Sequence, residues 1–144
     1  MANRLPNSFK AMLFKGQITS LADTFKIILM KDGFVFDVDT HHAYADVLAN
    51  EIENGLGYTT GGLTLTGVSV SVYNTNNTAV LLWNFAEWIA TGGSLIASGA
   101  VVYDDSTTTG DDYTDAIASY VDFGGTITTA NGLLLRVYTP NITM

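Results

Sequence analysis

From Asp23 onward, apolar and polar positions fall into short runs with a period of two, broken by glycine- and asparagine-rich segments. Thr24 to Met30 is rich in branched residues. The Asp32-Gly33 pair then signals a tight turn, and Phe34 to Phe36 follows, so a short hairpin is expected. Leu63 to Thr66 places its apolar residues at odd positions. Val68, Val70 and Val72 place theirs at even positions, and the phase flips at Gly67, which predicts a bulge. Asn74 to Asn77 is a polar turn and Ala79 to Trp83 an apolar strand. Leu95 to Tyr103 is a strand containing Gly99. Ser119 to Phe123 alternates up to a turn at Gly124-Gly125. Thr126 to Thr128 and Leu133 to Tyr138 flank the turn signal Asn131-Gly132. Seven or more short strands at this spacing predict a mainly β fold, an antiparallel β-sandwich or barrel.

One segment departs from the period of two. Tyr44, Leu48 and Ile52 repeat every four residues beside Ala45 and Ala49, which predicts a short helix over 40–53. Asp39 or Thr40 is placed to cap it and Gly55 to end it. Residues 1–20 read as an extended N-terminal arm ahead of a single β-rich domain, 21–144. Pro6 breaks structure early. Ser8 to Lys15 as a strand carries apolar residues on both faces, Phe9 and Leu13 on one, Met12 and Phe14 on the other, and so needs cover.

Charge changes the picture. Arg4, Lys10, Lys15, Lys26 and Lys31 fall within the first 31 residues, opposed only by Asp23. The rest of the chain holds thirteen acids and one base, Arg136. A basic leader on an acidic body points to binding or assembly through one end. The net charge of -8 and pI of about 4.3 argue against nucleic acid as a partner. Charged residues make up only 14% of the chain and mean hydropathy is +0.24, which suggests surface covered by neighbouring subunits. No apolar run approaches the roughly 18 residues needed to span a membrane, and the patch Ala11 to Phe14 is too short for a signal peptide. There is no cysteine, which excludes disulfides and thiolate zinc sites.

Candidate chemistry is sparse. Asp37-Val38-Asp39-Thr40-His41-His42 invites a metal, but His41 and His42 occupy the places where a calcium loop needs Asx and Gly; a turn with a helix cap accounts for it better. Asp104, Asp105, Asp111, Asp112 and Asp115 could hold calcium, yet their spacing matches no defined loop, and a solvated, repelling loop is favoured. Gly55 to Gly61 misses the dinucleotide fingerprint by one position. There is no Gly-x-Ser-x-Gly elbow, and no pair of acids stands out for glycoside work. The expectation is therefore no enzyme, no cofactor and no metal. Trp83, Trp88, Tyr58, Tyr73 and Tyr103 could form a sugar-stacking platform, although aromatics in a sandwich more often fill the core or an interface.

An ordered string of segments carries a family resemblance. It runs Ser20 to Lys26, Ala49 to Ile52, Gly57 to Val68, Trp83 and Trp88, Ala97 to Asp105, and Tyr120 to Gly125. Over roughly residues 20–125 the chain resembles a group of small tailed-bacteriophage virion structural proteins, several of which are similar to capsid cement or decoration subunits. The resemblance implies a β-rich subunit present in many copies, with self-association as a homotrimer and the major capsid protein as partner. It implies a place on the capsid surface of the virion, assembled in the bacterial host cytoplasm. It carries no catalytic residues. The alternative is a receptor- or glycan-binding module of a phage tail or fibre. On either reading no nucleic acid or membrane is engaged. The expected capsid-binding arm comprises Arg4, Phe9, Lys10, Met12, Leu13, Phe14 and Lys15, acting as an added strand.

Overall fold

A computed structural model of the chain describes residues 3–138 and 140–144. The fold is mainly β, built from antiparallel sheets with two short helices. Its centre is a five-stranded sheet in the order β1 (Asn3–Arg4), β8 (Ala116–Thr129), β7 (Leu95–Asp104), β2 (Phe25–Met30) and β3 (Leu63–Thr64). A three-stranded sheet orders β10 (Asn141–Thr143), β5 (Thr78–Leu82) and β4 (Ser69–Tyr73). β6 (Ala86–Ile89) pairs with β9 (Leu134–Val137).

The central sheet is buried on both faces, which is why β2 reads as a continuous apolar run. Ile27, Leu29, Ala100 and Val102 meet a cluster that includes Trp83, Trp88, Leu81, Leu135 and Ile142 from the smaller sheets. Ile28, Met30, Val101, Tyr103 and Ile117 face the other way, under Phe36 and Val47. The two layers of sheet make a sandwich-like arrangement, with the second face of the central sheet closed by loop and helix.

Several local expectations change for identifiable reasons. Phe34 to Phe36 follow the turn at Gly33 but do not pair with β2, because β7 occupies one edge of its Met30 end and the Glu51-Ile52 segment the other. The two phenylalanines instead lie over the second core, with Phe36 stacked 5.1 Å from Tyr120. The helix expected over 40–53 shortens to α2 (Tyr44–Val47) and one 3₁₀ turn, Leu48–Asn50. Beyond it the chain extends, and the Ile52 amide donates to the Leu29 carbonyl at 3.0 Å, extending the β2 edge. Gly124 and Gly125 do not reverse the chain. β8 runs through them, and residues 123–126 bulge opposite Ser98 between the pairs Ala97↔Ile127 and Gly99↔Asp122.

The largest correction concerns the N-terminus. Asn7–Phe14 is a helix, α1, rather than an extended strand, and it belongs to the same fold as the body. Pro6 precedes its first turn, where a missing amide costs nothing. Gly16, at φ +71°, ends it: the Gly16 amide donates to the Leu13 carbonyl and the Gln17 amide to the Met12 carbonyl, a Schellman closure. The helix resolves the difficulty of a strand with two apolar faces. It turns Phe9 and Met12 into the core and leaves Lys10 and Phe14 outside.

Candidate functional site

The residues expected to form a binding arm divide into two sets. Phe9 and Met12 are core residues, at 1% and 0% exposure, and cannot reach a partner without unfolding. Arg4 lies in β1 opposite Tyr120 and its guanidinium donates to the Phe36 carbonyl at 3.4 Å. Lys15 pairs with Asp112 at 2.5 Å. Lys26 and Lys31 pair with Asp105 and Glu53 at 3.2 and 4.0 Å. The charge segregation along the sequence is therefore largely spent inside the molecule, seating the N-terminal segment on the acidic body. Among the described residues Lys10 has no ion pair.

What remains outward is a small mixed surface. Phe14 is 94% exposed. With Leu13, Lys10, Leu5, Thr143 and Met144 it lines a groove of about 460 Å³ between α1 and the end of β10. A second, narrower trough continues from Leu13 and Met144 to Val70 on β4. The arrangement offers an apolar knob, an apolar groove and one lysine without an ion pair, which suits contact with another protein surface.

The other candidates resolve into structural roles. Within Asp37–His42, His41 Nδ1 accepts from the Asp37 amide at 3.1 Å and its ring stacks on Phe34. The Asp39 amide lies 2.8 Å from Asp37 Oδ1 and holds that carboxyl below its usual range. His42 stacks on Tyr113 and meets Ser8 Oγ at 3.0 Å. The helix cap comes from Asp46, which accepts from the amides of His42 and Ala43, rather than from Asp39 or Thr40. Among the described residues no group of three or more His, Cys, Asp or Glu is arranged to hold a metal ion.

The acidic loop after β7 is built rather than merely solvated. Asp111 accepts from the Thr108 amide, Asp112 holds Lys15 and Gln17, and Asp105 holds Lys26. Asp104 is fully buried. Its Oδ1 accepts from the Ser106 amide at 2.9 Å, while Oδ2 has no hydrogen-bond partner among the described residues. Burial pushes its pKa up to about 7 against the pull of that amide, and the neighbouring Asp23 carboxyl adds to the rise.

Of the aromatic residues considered for sugar stacking, Trp83, Trp88, Tyr58 and Tyr103 are buried and only Tyr73 is exposed. Two of them serve a polar network that sequence reading missed. Tyr58 and Tyr44 each donate to the Glu51 carboxylate at 2.5 Å, and the Gly61 amide donates to it at 2.7 Å. Tyr103 donates to the Gly61 carbonyl at 2.9 Å and stacks on Tyr44. Burial, then the hydrogen bond to Glu51, raises the pKa of both Tyr44 and Tyr58. The 55–62 loop is thereby fixed. Gly62, at φ +74°, lies so close to β2 that a Cβ would fall 1.9 Å from the Ile27 carbonyl oxygen. Glu51 gave no sequence signal beyond being an acid in an otherwise apolar stripe.

No helix among the described residues is long and apolar enough to cross a membrane. Comparison finds no matching family model, no matching curated protein and no matching solved structure.

Proposed function

We propose that this chain is a non-enzymatic structural subunit of a tailed-phage virion, a cement protein that decorates and stabilises the capsid shell and grips the major capsid protein through the outer face of α1. The family resemblance supplies the class of role, the capsid surface and the homotrimer. The observation that carries the attachment surface is Phe14, an almost fully exposed aromatic beside an apolar groove and an unpaired lysine, on a helix whose other face is locked into the core. The mode differs from strand addition, since the segment is already helical. An amphipathic helix face laid against a complementary surface is the recognition mode that fits.

The apolar contact dominates, because an exposed ion pair contributes only about 0–1 kcal/mol and is screened by salt. Removing residues 1–20 is no test, because it unroofs the core at Phe9 and Met12. The test is co-sedimentation of full-length, folded variants with undecorated particles. Phe14→Asp is expected to abolish most binding, and Lys10→Ala to weaken it modestly. Full binding by Phe14→Asp overturns the attachment surface, and absence of wild-type binding to any part of a virion overturns the role.

A further inference from the structure

Among the described residues nothing guards the outer edge of β4, which pairs only with β5, and the strand exposes side chains on both faces, Val72 at 67%. On the far side of β5, Ala79 exchanges both main-chain hydrogen bonds with Met144. Antiparallel alternation then turns the amides and carbonyls of Ser69, Ser71 and Tyr73 toward β5, and those of Val70 and Val72 outward. Edge strands are ordinarily protected by lysine, proline, a bulge or a covering element. β4 carries no such residue and pairs with β5 in unbroken register. It also lies within a long charge-free segment, from Asn54 to Ala86, which contains no Asp, Glu, Lys, Arg or His. The side chains of its neighbours in the adjoining trough, among them Leu13, Ala79 and Leu81, are uncharged too.

We infer that β4 is the docking edge for a second copy of this chain, the two strands running antiparallel about a two-fold axis through Ser71. Two features single out a second copy over a foreign protein. The first is electrostatic. Copies carrying a net charge of -8 repel, and they approach at least cost where neither presents a charge. A foreign partner selected by an acidic protein would be met by acids, and β4 has none. The second is self-complementarity. Ser69-Val70-Ser71-Val72-Tyr73 centred on Ser71 sets Val70 against the second copy's Val72, and Val72 against its Val70. This register uses the outward amides and carbonyls of both valines, leaves the Ser71 pair in the non-hydrogen-bonded position, and aligns the valine side chains in one apolar row. The two three-stranded sheets join into one, closing both exposed edges in a single isologous contact. The contact does not depend on the capsid reading, and a trimer could use it to link to its neighbours.

Ser71→Cys tests the register. Facing residues at a non-hydrogen-bonded site have Cα atoms about 4.5 Å apart, within disulfide range. The chain has no other cysteine, so any disulfide joins two copies. Mild oxidation of the full-length variant is expected to give a disulfide-linked dimer, while Thr75→Cys at the hairpin tip gives little. Sedimentation equilibrium of the wild type is expected to show two-fold association that Val72→Lys weakens roughly tenfold or more, since it sets a charged side chain against the second copy's Val70 and brings the two lysines diagonally across the junction. Circular dichroism confirms that the variants fold. A wild type that stays monomeric, or an oligomer indifferent to Val72→Lys whose Ser71→Cys form does not link, overturns the inference. A trimer of the latter kind that still binds particles leaves the cement reading standing, whereas a β4-linked dimer that binds no particle does the reverse.

Discussion

β2 and β4 are both short strands rich in branched residues, and they meet opposite fates. Phe25–Met30 is flanked by β7 and β3 and covered on both faces by separate cores. Ser69–Tyr73 alternates serine with valine, yet neither face is covered and one edge is open. Alternation is the pattern of a strand with one buried face. β2 lacks it because both faces are buried. β4 has it although its valine face is exposed in the single chain, and its outer edge is left unpaired among the described residues. Stability is written mainly in the first strand and association in the second.

The sharpest way to break this contrast is to delete buried volume. Leu29→Ala, on one face of β2, and Phe9→Ala, beneath α1, each remove a side chain at 0–1% exposure. Each is expected to lower unfolding free energy by about 2–5 kcal/mol in urea titration. Phe14→Ala, five residues beyond Phe9 and on the outer face of the helix, is expected to change it by less than about 0.5 kcal/mol. A Phe9→Ala cost as small as that of Phe14→Ala would mean that α1 is not seated and that the extended arm is the better description.

A second test separates the core from its polar lining. Tyr58→Phe leaves the Leu29 amide without the hydroxyl it donates to at 3.3 Å, and removes one donor from Glu51. The expected loss is about 1–3 kcal/mol, the usual cost of an unsatisfied buried group. An unchanged urea midpoint would show that the 55–62 loop is held by its glycine packing alone.

The fold class was legible because strand period and strand number survive into the structure, although the chain reversal expected at Gly124-Gly125 and the hairpin expected after Asp32-Gly33 do not. The turns at Asn74–Asn77 and Asn131–Gly132 fall where the pattern places them, whereas Gly67, φ +67°, forms no bulge: it lies in the segment that carries the chain from β3 in the central sheet to β4 in the three-stranded sheet. What misled was local ambiguity. Phe9, Met12 and Leu13 fit a helix at i, i+3, i+4 as well as they fit a two-sided strand, and Gly16 was the stop signal that decided between them. The shortened α2 could not be read from its stripe, because Glu51 leaves the helix to accept from Tyr44 and Tyr58, each seven residues away, a side-chain pairing that hydrophobic periodicity does not encode. The basic leader was visible, but its acidic partners lie up to 97 residues away, so a charge imbalance that suggested an external target proved mostly internal.

Asp104 gives the central sheet a pH dependence. Its folded pKa, about 7, lies above the model-peptide value of 3.8. Between those values the folded state binds the proton more tightly than the unfolded chain does. The stabilisation is complete below about pH 4 and is lost as pH rises through about 7. Asp104→Asn keeps an acceptor for the Ser106 amide and cannot ionise. It is expected to raise stability at pH 8 by about 1–3 kcal/mol and to flatten the decline from pH 5. Thermal melts of both proteins at the two pH values check this, and parallel curves would place the proton elsewhere.

Val72→Lys has the smallest expected effect on the single chain, and that smallness is what makes it informative. Its amide and carbonyl face away from β5, and its side chain is mostly in solvent, so a lysine breaks no ladder bond and empties no core. Unfolding free energy in dilute solution is expected to change by less than about 0.5 kcal/mol. A charge on an open edge is also the ordinary means by which proteins prevent strand pairing. Concentration is therefore the discriminating variable. If β4 is covered by a second copy, the wild type gains stability as protein concentration rises, and the variant does not. The two urea midpoints then coincide at low concentration and diverge at high concentration. Midpoints that coincide throughout would mean that β4 stays open, and the valine pattern would lose its explanation. Midpoints that differ even at the lowest concentration would mean that β4 belongs to the core after all, and the contrast with β2 would be one of degree.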